Sequence, residues 1–425
     1  MIVSGEPDDD EALEALREAL NLQTPTHQLA CWQQPTRVPG VGWVAEVTLF
    51  STETYQGPRA DLILAPATAS VDDARDHALA AAARIVETGL DVAIELPLAE
   101  TLGLRALDPD DPETVDLLTT PDTLARRRKA LQRCRASFDA VARRFAEVYG
   151  LRLPRSLIAW AALVHSLGPF EQRGLDQLGR SGGGILIWFE PGGLERQPRE
   201  GLDPRLDCRF RRDPPELVTI AWGDSDGLHY GLWFDDPAEP ATTIVANYAR
   251  DSSETWDTGH RDMLAVLRKQ IAERDEYEPT TIGLRMLAAA IEWFAREAEP
   301  ELSGKPASIW TGVERPALIG CMGPALRPEH GDPRAQGEQQ RYAAYQTRDP
   351  QVRTWIEQAH AELERGQPAF ALVLGRELHW FDHDEWRGES LALLVGAYRA
   401  LGRDALAEIA SIHHRHRDLG SVAVY

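Results

Sequence analysis

The sequence predicts an α+β protein: an antiparallel meander sheet flanked by helices, a helical C-terminal region and a small N-terminal α/β domain. Three observations predict it. Strand-like runs, "ELVTIAWG", "LHYGLWFD" and "TTIVANYA", follow one another in mid-chain with only turns between them. Stretches with helical spacing of apolar residues lie before and after these runs. The acidic, proline-punctuated stretch "RALDPDDPETVDLLTTP" separates an N-terminal mixture of strand and helix patterns from the rest. The expected division is therefore 1–104 for the small domain, 105–121 for a linker and 122–425 for the remainder. Within that remainder, helices and the meander sheet occupy 122–280, and 281–425 is mainly helical.

Composition bounds the function. The chain has 425 residues, 43% hydrophobic and 26% charged, which is ordinary for a soluble globular protein. No apolar run approaches the roughly 20 residues that span a bilayer. The start, "MIVSGEPDDDEALEAL", is acidic and fits neither a signal nor a transit peptide. The expected location is the cytoplasm, or the nucleus in a eukaryote. A net charge of -22 repels phosphate backbones, so direct nucleic-acid binding is disfavoured and a basic partner surface is favoured. Cys31, Cys134, Cys208 and Cys321 are widely spaced with no C-x-x-C, and read as reduced, mostly buried thiols.

The elements follow in order. Residues 9–21 have a helical pattern, "VGWVAEVTLF" and "ADLILAP" read as strands, and "SVDDARDHALAAAARIVETG" reads as a helix. Ser70 is its expected N-cap, with Asp72 and Asp73 in the first turn and Gly89 at the end. "DVAIELP" is a further short strand. This order loosely resembles a double-stranded-RNA-binding domain. That family carries a basic cluster where this chain has the acidic "DDARDHA", so the resemblance implies shape without RNA binding. "PDTLARRRKALQRCRASFDAVARRFAEVYG" is a long helix whose run 126–129 is expected to be a solvated face. A second helix, "LRLPRSLIAWAALVHSLG", carries His165 as a structural histidine. Gly182–Gly184 lead into an apolar run, Ile185 to Phe189, expected to be a strand, which disfavours a phosphate loop. After the meander come helices at "TGHRDMLAVLRKQIAER" and "TTIGLRMLAAAIEWFAREA", then a loop-rich stretch. Helices at "PQVRTWIEQAHAELERG", "PAFALVLGRELHWF" and "ESLALLVGAYRALGRDALAEIASIHHRH" close the chain.

The central hairpin is the most organised stretch. Gly227 supplies the positive φ of its tight connection, and Pro214 and Pro215 set where the first strand begins. Alternation puts Leu228, Tyr230, Leu232 and Phe234 on one face of the second strand and His229, Gly231 and Trp233 on the other. Val218, Ile220 and Trp222 are expected to share a face of the first strand. Nothing here sets a nucleophile beside a base. Elsewhere, His379 and His383 have i, i+4 spacing near Asp382, Asp384 and Glu385, which admits a metal-dependent hydrolase, but no glutamate follows His379 as in H-E-x-x-H, and the expected reading is a capped, charged helix end with no metal. His413, His414 and His416 read as a surface cluster.

The stretch "RFRRDPPELVTIAWGDSDGLHYGLWFDDPAEP", followed by "IVANYARD", resembles the central segment of the histone PARylation factor family. The motif residues are Asp213, Pro214, Pro215, Glu216, Gly223, Asp224, His229, Gly231, Asp236 and Pro237. "YGLRLPRSLIAW", "LVLGRELHWF" and "SLALLVGAYRALGRDALAEI" extend the resemblance over roughly residues 145–418. It implies an accessory factor that docks on an ADP-ribosyltransferase of the poly(ADP-ribose) polymerase type and completes a composite active site. It implies no cofactor bound by the factor itself, with NAD used by the partner. It further implies a glutamate acting as general base on an acceptor serine, at Glu364 or alternatively Glu362, ahead of the motif Leu374-Gly375-Arg376-Glu377-Leu378. Arg341 and Tyr342 stand nearest to the family's docking pair, in reversed order. The alternative is a non-catalytic adaptor or immunity-type protein covering a basic partner.

Overall fold

Turn residues organise the N-terminal strands. In the computed structural model β1 (His27–Val38) and β2 (Gly42–Ser51) are joined where Val41 N–H donates to the Val38 carbonyl at 3.0 Å, with Gly40 at φ 79°. The structure describes residues 27–51, 59–65, 70–73, 105–107, 109–199, 201–277, 280–303, 308–320 and 322–425. β3 (Arg59–Ala65) and β4 (Arg105–Leu107) complete an antiparallel sheet in the order β1-β2-β3-β4. β1 was not anticipated. The Ser70 cap is present: Asp73 N–H donates to the Ser70 hydroxyl at 3.1 Å, and that hydroxyl donates to Asp73 Oδ2 at 2.7 Å. The expected helix at 9–21, most of the helix begun at Ser70 and the strand "DVAIELP" lie outside the described residues, as do the side chains of Cys31 and Cys321.

The expected linker contains a helix, α1 (Pro112–Leu118). Asp111 caps it by accepting from the Glu113 N–H at 2.9 Å, and proline stands in its first turn, where a missing N–H costs nothing. The prolines of this stretch punctuate a helix start. Leu118 is 2% exposed and joins Val38, Val44, Phe170, Ile282 and Met286 in one apolar cluster. α2 (Pro121–Tyr149), α3 (Leu157–Val164) and α4 (Pro169–Gln177) follow, the last unanticipated. The basic run on α2 is only partly a solvated face. Arg128 and Lys129 are exposed, but Arg127 is 1% exposed and donates to Glu171 Oε1 at 3.0 Å. One compact unit comprises 1–129, 166–178 and 268–293, and a second comprises 130–165, 179–267 and 294–425. Within the first, α4 meets α6 (Ile282–Glu297) backbone to backbone: a Cβ on Gly174 would stand 2.2 Å from the Gly283 carbonyl oxygen.

The second unit holds the meander: β5 (Ser181–Gly182), β6 (Leu217–Trp222), β7 (Leu228–Trp233), β8 (Thr243–Tyr248) and β9 (Thr255–Asp257), each antiparallel to the next. Asp226 and Gly227 both take positive φ, 49° and 68°, and Leu228 N–H donates to the Ser225 carbonyl at 2.7 Å. Two consecutive left-handed residues match a type I′ connection. The expected faces of β6 need correction. The register slips between Thr219 and Ala221, so Trp222 pairs with His229 and leaves the face of Val218. An extra residue at Ile220 makes a β-bulge, and its carbonyl accepts from Trp160 Nε1 of α3 at 3.0 Å. Residues 184–189 also differ from expectation, forming a 3-10 turn in place of a strand. Gly184 has φ 54°, and that left-handed step ends the extended chain.

The remaining helices are α5 (Met263–Asp275), α7 (Glu299–Ser303), α8 (Glu338–Thr347), α9 (Gln351–Glu364), α10 (Ala369–Phe381), α11 (Arg387–Ala400) and α12 (Asp404–Arg415). The final stretch, expected as one helix, is two. Gly402, at φ 71°, divides them. Among the described residues no helix is long and apolar enough to cross a membrane.

Candidate functional site

Helix α10 organises the polar chemistry of the second unit. Every residue from Ala369 to His379 is buried, so its three polar side chains there must be satisfied by protein groups. Arg376 Nη1 donates to Glu216 Oε1 at 2.6 Å, and the Tyr398 hydroxyl donates to the same oxygen at 2.8 Å. The Arg376 guanidinium also lies 5.2 Å from the Trp233 ring centroid. Glu377 accepts from Arg341 Nε and Nη2 at 2.6 and 2.7 Å and from the Tyr345 hydroxyl at 2.7 Å. Burial raises the Glu377 carboxyl above its ordinary value despite the opposing pull of Arg341 and Tyr345. His379 Nε2 donates to the Asp213 carbonyl at 3.0 Å.

The motif residues of the hairpin sit inside this network. Asp213, Glu216 and His229 are each at most 1% exposed. His229 Nδ1 donates to the Gly227 carbonyl at 2.9 Å, and its Nε2 stands 3.2 Å from Asp213 Oδ2. Burial disfavours the imidazolium, but Asp213 and the Gly227 carbonyl outweigh it and raise the His229 pKa. Pro214 and Pro215 are buried at the start of β6, where Leu217 N–H closes a turn onto the Pro214 carbonyl at 3.1 Å. Gly231 lies under Val218, whose carbonyl a Cβ would approach to 2.7 Å. Gly223 N–H donates to the Leu228 carbonyl at 2.7 Å beside the exposed Asp224. Asp236 accepts from Ala238 N–H at 2.9 Å, across Pro237, and from Trp310 Nε1 at 3.3 Å.

The candidate glutamates close α9. Glu362 is ion-paired with Arg334, a residue that sequence reasoning missed, and Arg334 also donates to Gln358 at 2.9 Å and stacks 4.1 Å from the Phe370 centroid. The Arg334 carbonyl accepts from Arg341 Nη1 at 2.8 Å, so Arg341 supports the segment that holds Glu362. Glu364 is exposed, with no ion-pair partner among the described residues. Residues two apart point to different sides of a helix, which separates the two glutamates. Arg341 is 3% exposed and belongs to the interior, whereas its neighbour Tyr342 packs edge-on against Phe381 at 6.4 Å.

Tyr342 also lines an open cleft of about 760 Å³ with Arg211, Arg212, Arg348, Trp380 and His383. Asp382 lies beneath, 1% exposed at its side chain, bound by Arg211, by Arg387 at 3.0 Å and by Arg417 at 2.9 Å. Burial brings the Arg417 pKa down to about 10. His379 and His383 do not share the helix face on which a metal pair was considered. α10 ends at Phe381, Asp382 turns left-handed, His379 points inward and His383 stacks on Phe381. His413 likewise departs from the expected surface cluster: it is 2% exposed, and its ring lies 5.4 Å from that of His379. Burial lowers both the His379 and His413 pKa values well below the ordinary histidine range. Cys134 and Cys208 are free and buried, and burial raises the Cys134 thiol to about 11.

Fold and site together define an α+β protein whose meander sheet is tied to a central helix by a buried carboxylate–guanidinium pair, Glu216 with Arg376. The model of the family described as histone PARylation factor 1 matches residues 194–308, about a quarter of the chain, which covers β6 to α7. The chain is thus similar over that segment to a family of accessory factors that act with ADP-ribosyltransferases. No curated protein matches the chain.

Proposed function

We propose that this protein is an accessory factor of protein ADP-ribosylation that binds a poly(ADP-ribose) polymerase-type transferase and contributes a carboxylate for hydroxyl acceptors. The observation that carries the reading is the family match over residues 194–308. The factor holds no cofactor of its own, and NAD is the partner's substrate. Glu364 is the favoured base and Glu362 the alternative. An exposed carboxylate without an ion-pair partner can reach a substrate held by a partner. It takes the serine hydroxyl proton as the oxygen forms a bond to the ribose carbon. The bond from that carbon to nicotinamide breaks, and its electron pair leaves with nicotinamide. Tyr342, at the surface cleft, serves docking, and Arg341 acts through Arg334 on the placement of α9.

The test adds the protein to a polymerase-type transferase with labelled NAD and a serine peptide. Serine modification is expected to rise with the factor and to be lost with Glu364→Gln while binding persists. An unchanged rate and acceptor, with no transferase retained on the immobilised protein, would overturn the reading. A net charge of -22 favours a second reading, an adaptor that covers a basic partner. In that case Glu364→Gln and Glu362→Gln leave the transferase reaction unchanged.

A further inference from the structure

We infer that the cleft beside the end of α10 binds a nucleotide, an aromatic ring carrying a phosphate. This goes beyond the accessory-factor reading and stands independently of it. The first observation is charge. Asp382, the buried carboxylate of the cleft, is already neutralised by Arg211, Arg387 and Arg417. Arg212 and Arg348 also line the cleft, and neither has a carboxylate within ion-pair distance among the described residues. Arg212 lies 5.9 Å from the Trp380 centroid, and Arg348 meets His383 Nε2 at 3.4 Å. With three arginines, Arg211, Arg212 and Arg348, against three carboxylates, Asp382, Asp384 and Glu385, in its lining, the cleft is locally balanced in a protein of net charge -22.

The second observation is shape. His383 and Phe381 are parallel to within 12° at 5.5 Å, and the Trp380 ring lines the same cleft. Guanidiniums beside aromatic faces suit a ligand that pairs a phosphate with a planar ring.

The third is the backbone. Arg348 and Asp382 each close a helix with positive φ, 53° and 57°. Glycine takes that conformation without the steric cost that side chains bring. Asp382 uses its place to hold three arginines. Among the described residues Arg348 has no carboxylate partner, which points to one outside the chain. Asp384 and Glu385 also line the cleft and are exposed, so a long polyanion is disfavoured against a ligand with one compact anionic end.

The test titrates the full chain calorimetrically with ADP at low salt, with pyrophosphate and adenosine as separate arms. Saturable one-to-one binding of ADP is expected, at least tenfold tighter than either fragment. The double variant R212Q/R348Q should weaken it at least tenfold, and His383→Ala should weaken it less, with both variants unfolding at the wild-type temperature. No heat with ADP up to millimolar concentration, or equal binding by R212Q/R348Q, overturns the site. Pyrophosphate as tight as ADP overturns the ring half of the assignment. If R212Q/R348Q unfolds early, the single variant Arg348→Gln replaces it, because Arg348 is exposed and holds no carboxylate.

Discussion

Glu216, at the head of β6, and Glu364, at the end of α9, are the same residue type in opposite settings. Glu216 is 1% exposed and held by Arg376 and Tyr398, whereas Glu364 is exposed with no ion-pair partner among the described residues. A buried charge is costly unless paired, so Glu216 is committed to structure and unavailable to a substrate. An exposed carboxylate contributes little to folding and is free to act on something else. The comparison teaches that the stretch most recognisable in sequence and the exposed carboxylate proposed as the base lie in different parts of the fold.

The largest expected effect breaks the first half of that comparison. Glu216→Gln leaves the Arg376 guanidinium buried without its carboxylate and is expected to cost about 3–5 kcal/mol. Urea unfolding of the variant measures it, and a loss below about 1 kcal/mol would show that the pair does not hold sheet to helix.

The next effect is pH. His379 and His413 have depressed folded pKa values, so below the ordinary histidine value of about 6.5 the unfolded chain takes up protons that the folded chain does not. Stability should fall with acidification below that point by up to about 1.4 kcal/mol per pH unit for each histidine. His229 works in the other direction, because its folded pKa is raised. Its contribution is fully present below about 6.5 and is lost as pH rises through the folded value. Unfolding curves from pH 5 to 8 should therefore show a maximum between the two regimes, and a flat profile would contradict the burial of both rings.

A smaller loss, about 1–3 kcal/mol, is expected for Trp160→Phe, which deprives the bulge carbonyl at Ile220 of its indole donor. Gly183 N–H, 3.3 Å from the same oxygen, sets the lower end of that range. The smallest effect on folding belongs to Glu364→Gln, within about 0.5 kcal/mol of the parent. That variant makes a clean reagent: unchanged unfolding with lost serine modification sharpens the contrast with Glu216.

Much of the secondary structure was legible because its signals are local. Alternation marked β6, β7 and β8, the Asp-Gly pair marked their turn, and helical spacing marked α2, α3, α9 and α10. The errors also have physical causes. The bulge at Ile220 depends on a donor from Trp160, which stands 60 residues away, so a period-two reading misplaced Trp222. The acidic stretch before α2 has linker composition, but its leucines find an apolar cluster assembled from distant segments.

The candidate site was less legible. Glu362 and Glu364 could be named from the resemblance, but Arg334 could not, because its contact with Glu362 is made by a loop residue in no motif. Arg341 was read as a docking residue because nothing in its neighbourhood announces burial. Its partner Glu377 lies 36 residues later.

By itself the sequence determined the class of fold, the order of most elements in the second unit, the turn chemistry and the likeness to an accessory-factor family. The tertiary structure alone decided which charges are structural and which are free. Spacing and propensity act over a few residues, whereas burial and pairing are settled by groups as far apart as Glu216 and Arg376, which are 160 positions distant in the chain and 2.6 Å apart in the fold.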